Sequence, residues 1–206
     1  MFDYENKHKA NGCKFIAGID EAGRGPLAGP VCVAIVIMPL SEDKIISKIN
    51  DSKKLTEKAR NSLYDEIINT AIAYHIELID EKVIDDINIL NATKLGMKKC
   101  IDSISVKPDM VLIDAVKIDS TVPTESIIKG DALSYNIAAA SILAKVTRDR
   151  LMLEYANMFP EYLFEKHKGY GTKEHVARLI EFGPCEIHRR SFIKNFEDRI
   201  NAKHKN

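Results

Sequence analysis

The chain has 206 residues, 45% of them hydrophobic and 29% charged, with 30 Lys and Arg set against 30 Asp and Glu. Those totals describe an ordinary globular chain with one sizeable core, and they exclude an extended disordered chain or a fibrous repeat. The longest apolar run, residues 31–38, ends at Pro39 and falls far short of the roughly 20 residues that a membrane-spanning helix needs, so no membrane association is expected.

Residues 1–14 are polar and charged, without the apolar stretch of a secretory signal. Residues 15–20 then read as a short buried strand broken by glycines, and residues 31–38 as a second strand rich in β-branched side chains. The segment between them is too short for a helical crossover, which predicts an antiparallel hairpin. Thr56 is placed to cap a helix to about residue 70, residues 72–79 alternate like a half-buried strand, and a helix follows through residues 92–104. Residues 110–114 form another apolar strand, and 126–129 a weaker one. A long helix over about 134–157 opens with Ile137-Ala-Ala-Ala-Ser141, small side chains that let it lie close to a sheet. Two further helices are expected near residues 173–182 and 191–201. The fold class predicted is α/β, a mixed β-sheet flanked by helices with a small C-terminal helical part. The division expected is a sheet-bearing domain over residues 1–160 and a C-terminal helical extension over 161–206.

Cys13, Cys32, Cys100 and Cys185 lie far apart with no C-x-x-C pair, as expected of reduced thiols in a cytoplasmic protein. Although the net charge is zero, residues 166–206 hold 10 Lys or Arg against five Asp or Glu, plus four His. A basic end of this kind can grip phosphates or can simply be a solvated surface.

Acids stand where apolar strands stop: Asp20-Glu21, Asp114 and Asp131. One such acid is unremarkable, because turns favour Asp; three strand ends of one sheet can converge. Four clustered carboxylates repel, so protons or a cation must offset them. Hard oxygen donors suit Mg²⁺ or Mn²⁺ rather than zinc, and two such ions can drive in-line phosphodiester hydrolysis. Asp20 and Glu21 are neighbours on a strand and should face opposite ways, so they share a site only if the strand breaks there. Gly23 and Gly25 make such a break plausible.

The glycines also imitate a dinucleotide-binding loop. That loop must lead into a helix, whereas Pro26 and Pro30 flank this one and a strand follows, so the reading is rejected. A Gly23-Arg24-Gly25 turn is better suited to close backbone approach to a ligand. His175, Cys185 and His188 fit no zinc spacing, and Ser141 lacks a nucleophile elbow. Lys53, Lys54, Lys145 and Arg148 read as surface cations able to meet phosphates, and Ser191 as an N-cap.

Residues 20–30, DEAGRGPLAGP, resemble the opening signature of ribonuclease HII. Asp51-Ser52-Lys53-Lys54-Leu55, Leu112-Ile113-Asp114, Lys129-Gly130-Asp131 with residues 138–149, residues 167–172 and residues 188–192 resemble its later blocks, in order across residues 15–196. The resemblance implies a ribonuclease H-like fold and an endonuclease that hydrolyses RNA in RNA–DNA hybrids and nicks duplex DNA 5′ of an embedded ribonucleotide. It implies a Mg²⁺ or Mn²⁺ site in which Asp20, Glu21, Asp114 and Asp131 are catalytic. Asp20, Glu21 and Asp114 would be ligands, with Asp131 acting directly or through a water. Gly23, Arg24, Gly25 and Tyr170 would bind substrate through the ribose 2′-hydroxyl, which alone distinguishes RNA from DNA at one nucleotide. The partner expected is nucleic acid, and the default state a monomer. A sliding-clamp contact is conceivable for such an enzyme, but no clear tail motif marks one. Ribonuclease HIII is disfavoured because only about 14 residues precede the first strand, too few for its additional N-terminal domain. A non-catalytic hybrid-binding module is the alternative from another class, and the presence of all four acids argues against it.

Overall fold

The computed structural model describes residues 1–49, 52 and 55–204. Asp51, Lys53 and Lys54 lie outside the described residues.

The sheet is assembled from β1 (Ile16–Ala22), β2 (Val31–Ile37), β3 (Ala73–Ile79), β4 (Met110–Asp114) and β5 (Thr124–Ile127), in the order β3-β2-β1-β4-β5. Strands β1 and β2 form the expected antiparallel hairpin, β3 adds to β2 antiparallel, and β4 pairs parallel with both β1 and β5. The parallel register sets Ile19 beside Ile113, so the next residues, Asp20 and Asp114, lie at the carboxyl ends of adjacent central strands.

The helices α1 (Asp3–Ala10), α2 (Glu57–Thr70), α3 (Glu81–Ser103), α4 (Gly130–Leu133) and α5 (Tyr135–Met158) surround this sheet. One face carries α5 and α2, with Ala138, Ala139, Ala140, Leu143 and Leu63 packed on Cys32, Ala34 and Val36. The other carries α3, with Met97, Cys100 and Ile101 against Ala17, Ile19, Val33 and Ile35. The small-residue run at the start of α5 does what its composition predicts. A Cβ on Gly18 of β1 would stand 2.1 Å from the Asn136 carbonyl carbon, so the helix start lies directly on the strand backbone. Ser134 caps α5 by accepting from the Ile137 amide, and Thr56 caps α2 by accepting from the Ala59 amide, each worth ~1 kcal/mol.

Three elements differ from expectation. Helix α3 begins at Glu81, well before residue 92, and is two helices joined at Asn88, whose φ is 67° and whose side chain caps the second by accepting from the Asn91 amide. The periodic pattern is interrupted there, so only its second half is legible. Strand β5 lies two residues earlier than expected, because Lys129 turns left-handed at φ 60° to begin α4. The last predicted helix is broken into α8 (Arg190–Ile193), a 3₁₀ turn (Lys194–Phe196) and α9 (Glu197–His204). Ser191 is not its N-cap; its hydroxyl and amide both donate to Asp85 Oδ1, tying α8 to α3.

Between α5 and α8 lie α6 (Phe164–His167) and α7 (Lys173–Phe182). This part is fastened back onto the β1–β2 loop. The Leu27 amide donates to Gly169 O at 2.8 Å, the Arg189 amide to Leu27 O at 2.9 Å, and Ala28 bridges to His188. No helix among the described residues is long and apolar enough to cross a membrane.

Candidate active site

Asp20, Glu21 and Asp114 line one cleft of about 280 Å³, together with Gly23, Arg24, Gly25 and Tyr170. The β1–β4 ladder ends at Ile19, so beyond it the strand edge opens onto the cleft. Asp20 is only 4% exposed. It accepts from the Glu21 amide at 2.7 Å and from the side chain of Ser141, whose hydroxyl also meets the Ser52 hydroxyl at 2.9 Å. Burial, then the charges of Glu21 and Asp114, push its carboxyl well above the usual carboxylate range, against the opposing pull of those hydrogen bonds.

β1 does not break between Asp20 and Glu21, as the glycines suggested; it stays paired to β2 through Ala22. The two acids share the cleft because it lies at the open end of the strand, where the longer Glu21 side chain reaches it. Arg24 turns back on this acid, with Nη1 at 3.3 Å from Glu21 Oε1. Asp131 is set slightly apart. It is 5% exposed in the first turn of α4, next to Gly130, whose amide donates to Asp114 Oδ1 at 2.7 Å, and it does not line the cleft.

Among the described residues no three His, Cys, Asp or Glu side chains already stand as an ion cage. The acids nevertheless fit a hard divalent cation in two respects. Their donors are carboxylate oxygens, and the mutual repulsion that raises Asp20 is what such an ion would offset.

The wall opposite the acids is built differently. Tyr170 is 42% exposed, and a Cβ on Gly25 would lie 3.9 Å from its ring, so glycine turn and ring face each other. Gly23 must be glycine twice over. Its φ is +95°, and a Cβ would stand 2.0 Å from Arg148 Nε.

Arg148 is not the surface cation expected. It is 1% exposed and donates to the carbonyls of Pro30, Lys168 and Ala28 at 2.9, 2.9 and 3.0 Å. Lys145, three residues earlier, remains partly exposed at the cleft and pairs with Asp149 at 2.7 Å. Arg189 is fully buried and donates to the carbonyls of Gly29, Arg24 and Gly23 at 2.8, 3.0 and 2.6 Å.

Behind Tyr170 lie two buried histidines, His175 and His188, whose hydrogen bonds run one way. The Cys185 amide donates to His188 Nδ1, which makes His188 Nε2 the donor to His175 Nε2 at 3.1 Å. His175 Nδ1 then donates to Tyr170 O at 3.0 Å. Burial, then neighbouring histidines, pull His188 down to about 3 and His175 to about 4, so both rings are neutral at ordinary pH. Sequence reasoning passed over Ser52 and Arg60, which line the cleft, and Arg189, which supports it, and it weighed Ser141, also at the cleft, only as a nucleophile. Ser52, Ser141 and Arg189 fall inside quoted signature blocks, the one signal that marked them; Arg60 does not.

Fold and site together define a ribonuclease H-like hydrolase. The structure covers 93% of this chain and 100% of ribonuclease H2 from Pyrococcus horikoshii OT3 at a TM-score of 0.75 and 24% identity. It covers 86% of this chain and 93% of the matched chain in the PCNA:RNase HII complex from Archaeoglobus fulgidus, also at 0.75 and 24% identity. The family model for ribonuclease HII matches residues 17–195. Ribonuclease HII of Caldicellulosiruptor saccharolyticus is 53% identical over 195 residues, 94% of either chain, and that of Bacillus cytotoxicus is 50% identical over 203 residues, 98% of this chain and 77% of that one. The chain belongs to the ribonuclease HII family and is a ribonuclease H enzyme, an endoribonuclease acting on RNA–DNA hybrids.

Proposed function

We propose that this enzyme also nicks duplex DNA on the 5′ side of a single embedded ribonucleotide, leaving 3′-hydroxyl and 5′-phosphate ends, as ribonucleotide removal in DNA repair and primer removal would require. The observation that carries the reading is the position of Asp20. It is a buried acid raised by Glu21 and Asp114, in a cleft whose facing wall is Gly23, Arg24, Gly25 and Tyr170. One wall has the charge to hold cations and the other has backbone and an exposed ring to meet a sugar.

Asp20, Glu21 and Asp114 would hold Mg²⁺ or Mn²⁺, with Asp131 acting beside them directly or through a water. A neighbour of the same fold, Bst-RNase HIII, was solved in complex with Mn²⁺. Two bound ions would supply an activated attacking water and stabilisation of the leaving oxygen. Water adds to phosphorus, the P–O3′ bond breaks, and the 3′-oxygen leaves with a proton. Arg24 offsets Glu21 in the absence of substrate and is free to turn towards a phosphate. The amides of the glycine turn and the Tyr170 ring meet the ribose, whose 2′-hydroxyl is the only handle at that nucleotide. The side of the cut follows from the family resemblance. Residues 161–206 would act as a helical extension carrying Tyr170 to the catalytic domain of residues 1–160, in a cytoplasmic monomer.

The test is cleavage of duplex DNA bearing one ribonucleotide, with Mg²⁺ or Mn²⁺. A single 5′ nick that is lost on chelation and in Asp114→Asn is expected. Equal cutting of all-DNA duplex would overturn the ribonucleotide reading, and cutting of long hybrids alone would remove the role given to the turn and Tyr170.

A further inference from the structure

Beneath the glycine turn, every hydrogen bond that Arg148 and Arg189 make among the described residues goes to a backbone carbonyl. Burying a guanidinium is costly, and it is tolerated only where its donors are well satisfied. Arg189 takes the carbonyls of two successive peptides, those of Gly23 and Arg24, with two nitrogens of one planar fork.

In a trans peptide the C=O and the following N–H point in opposite directions, and the described chain has no cis bond. Carbonyls turned down onto Arg189 therefore turn the amides of Arg24 and Gly25 the other way, to the side on which the cleft lies. Neither amide donates to a backbone carbonyl among the described residues. Two neighbouring amides aimed the same way, next to a residue at positive φ, make a concave donor pair suited to an oxygen lone pair.

We propose that Arg189 is the positioning residue of the ribonucleotide reader: by clamping the carbonyls of Gly23 and Arg24 it presents the amides of Arg24 and Gly25 to the substrate's 2′-oxygen. The assignment rests on the reading of the glycine turn given above. Lysine cannot replace it, since an ammonium is a point donor without the fork that spans two carbonyls, although it keeps the charge that attracts a polyanion.

The experiment measures binding in an Asp114→Asn parent, so that substrate survives, to two duplexes: DNA with one ribonucleotide and the same sequence as all DNA. Arg189→Lys should lower the preference for the ribonucleotide duplex by ~10-fold, the scale of one or two lost hydrogen bonds, while all-DNA affinity changes by less than about twofold. Met97→Ala, a cavity in the core behind β1, should lower thermal stability and keep the preference. Arg189→Lys that folds and retains the parent's preference overturns the inference alone. A parent with no preference, or one whose preference survives Tyr170→Ala, sinks the reading of the turn and this inference with it. Should Arg189→Lys fail to fold, hydrogen exchange on the wild-type chain decides. The Arg24 and Gly25 amides should exchange rapidly in the free protein and slow only with the ribonucleotide duplex. Slow exchange without substrate, or equal protection by all-DNA duplex, overturns it.

Discussion

The two walls of the cleft solve opposite electrostatic problems. On the acid wall, Asp20, Glu21 and Asp114 crowd like charges together, and burial adds to the strain on Asp20. On the wall proposed to read the sugar, here the reading wall, two buried cations lie with their donors shared among the carbonyls of Gly23, Arg24, Ala28, Gly29, Pro30 and Lys168. An acid wall that holds an ion, as proposed, should respond to ions and charge changes. The reading wall is satisfied internally by backbone, and should respond to shape.

The largest effect that separates the walls is on turnover. Asp114→Asn keeps an acceptor for the Gly130 amide, so the fold should persist while kcat falls by about a thousandfold or more. Steady-state cleavage with Mg²⁺ or Mn²⁺ checks this, and a loss of less than tenfold would free Asp114 from the ligand role. On the reading wall shape should dominate. Gly23→Ala meets both a positive φ and Arg148, and should cost about 3 kcal/mol or more of stability. Gly25→Ala, with 3.9 Å to the Tyr170 ring, should fold close to normally. Chemical denaturation of the pair measures the contrast, and equal losses would remove it.

Acid should undo the reading wall first through its histidines. Their folded pKa values lie below the unfolded 6.5, so the unfolded chain binds more protons between the two. The stability they contribute is complete above about pH 6.5 and is lost as pH falls towards about 4 for His175 and about 3 for His188. Thermal melts of wild type and His188→Gln across that window should converge at the acid end. The smallest effect expected has the opposite sign. Asp20→Asn relieves the repulsion with Glu21 and Asp114, so the metal-free protein should gain about 1 kcal/mol while losing activity. A lower melting temperature would show that Asp20 stabilises the cleft rather than straining it.

Periodicity was enough for β1, β2, β4, α2, α5 and α7, because each presents an apolar or small-residue pattern, some with a clear stop such as Pro39 or a cap such as Thr56. It failed at Asn88, where a polar residue restarts α3 within one pattern, and at residues 194–196, where a 3₁₀ turn breaks the last helix. Asp20, Glu21 and Asp114 were legible as a group because strand ends in one sheet converge. Tyr170 was legible only through its signature block, since an aromatic in a loop is more often core.

The amino-acid sequence by itself determined the sheet-forming runs, the acids that end them, and the family to which the chain belongs. Local pattern and short motifs carry that information without reference to distant residues. Only the tertiary structure decided that Arg148 is buried, that Glu21 reaches the cleft without a strand break, and that Arg189 holds the carbonyls of the Gly23-Arg24-Gly25 turn from more than 160 positions away. A guanidinium has the same chemistry on the surface or in the core. What gives it a task is which backbone carbonyls the fold brings within reach, and no spacing along the chain records that.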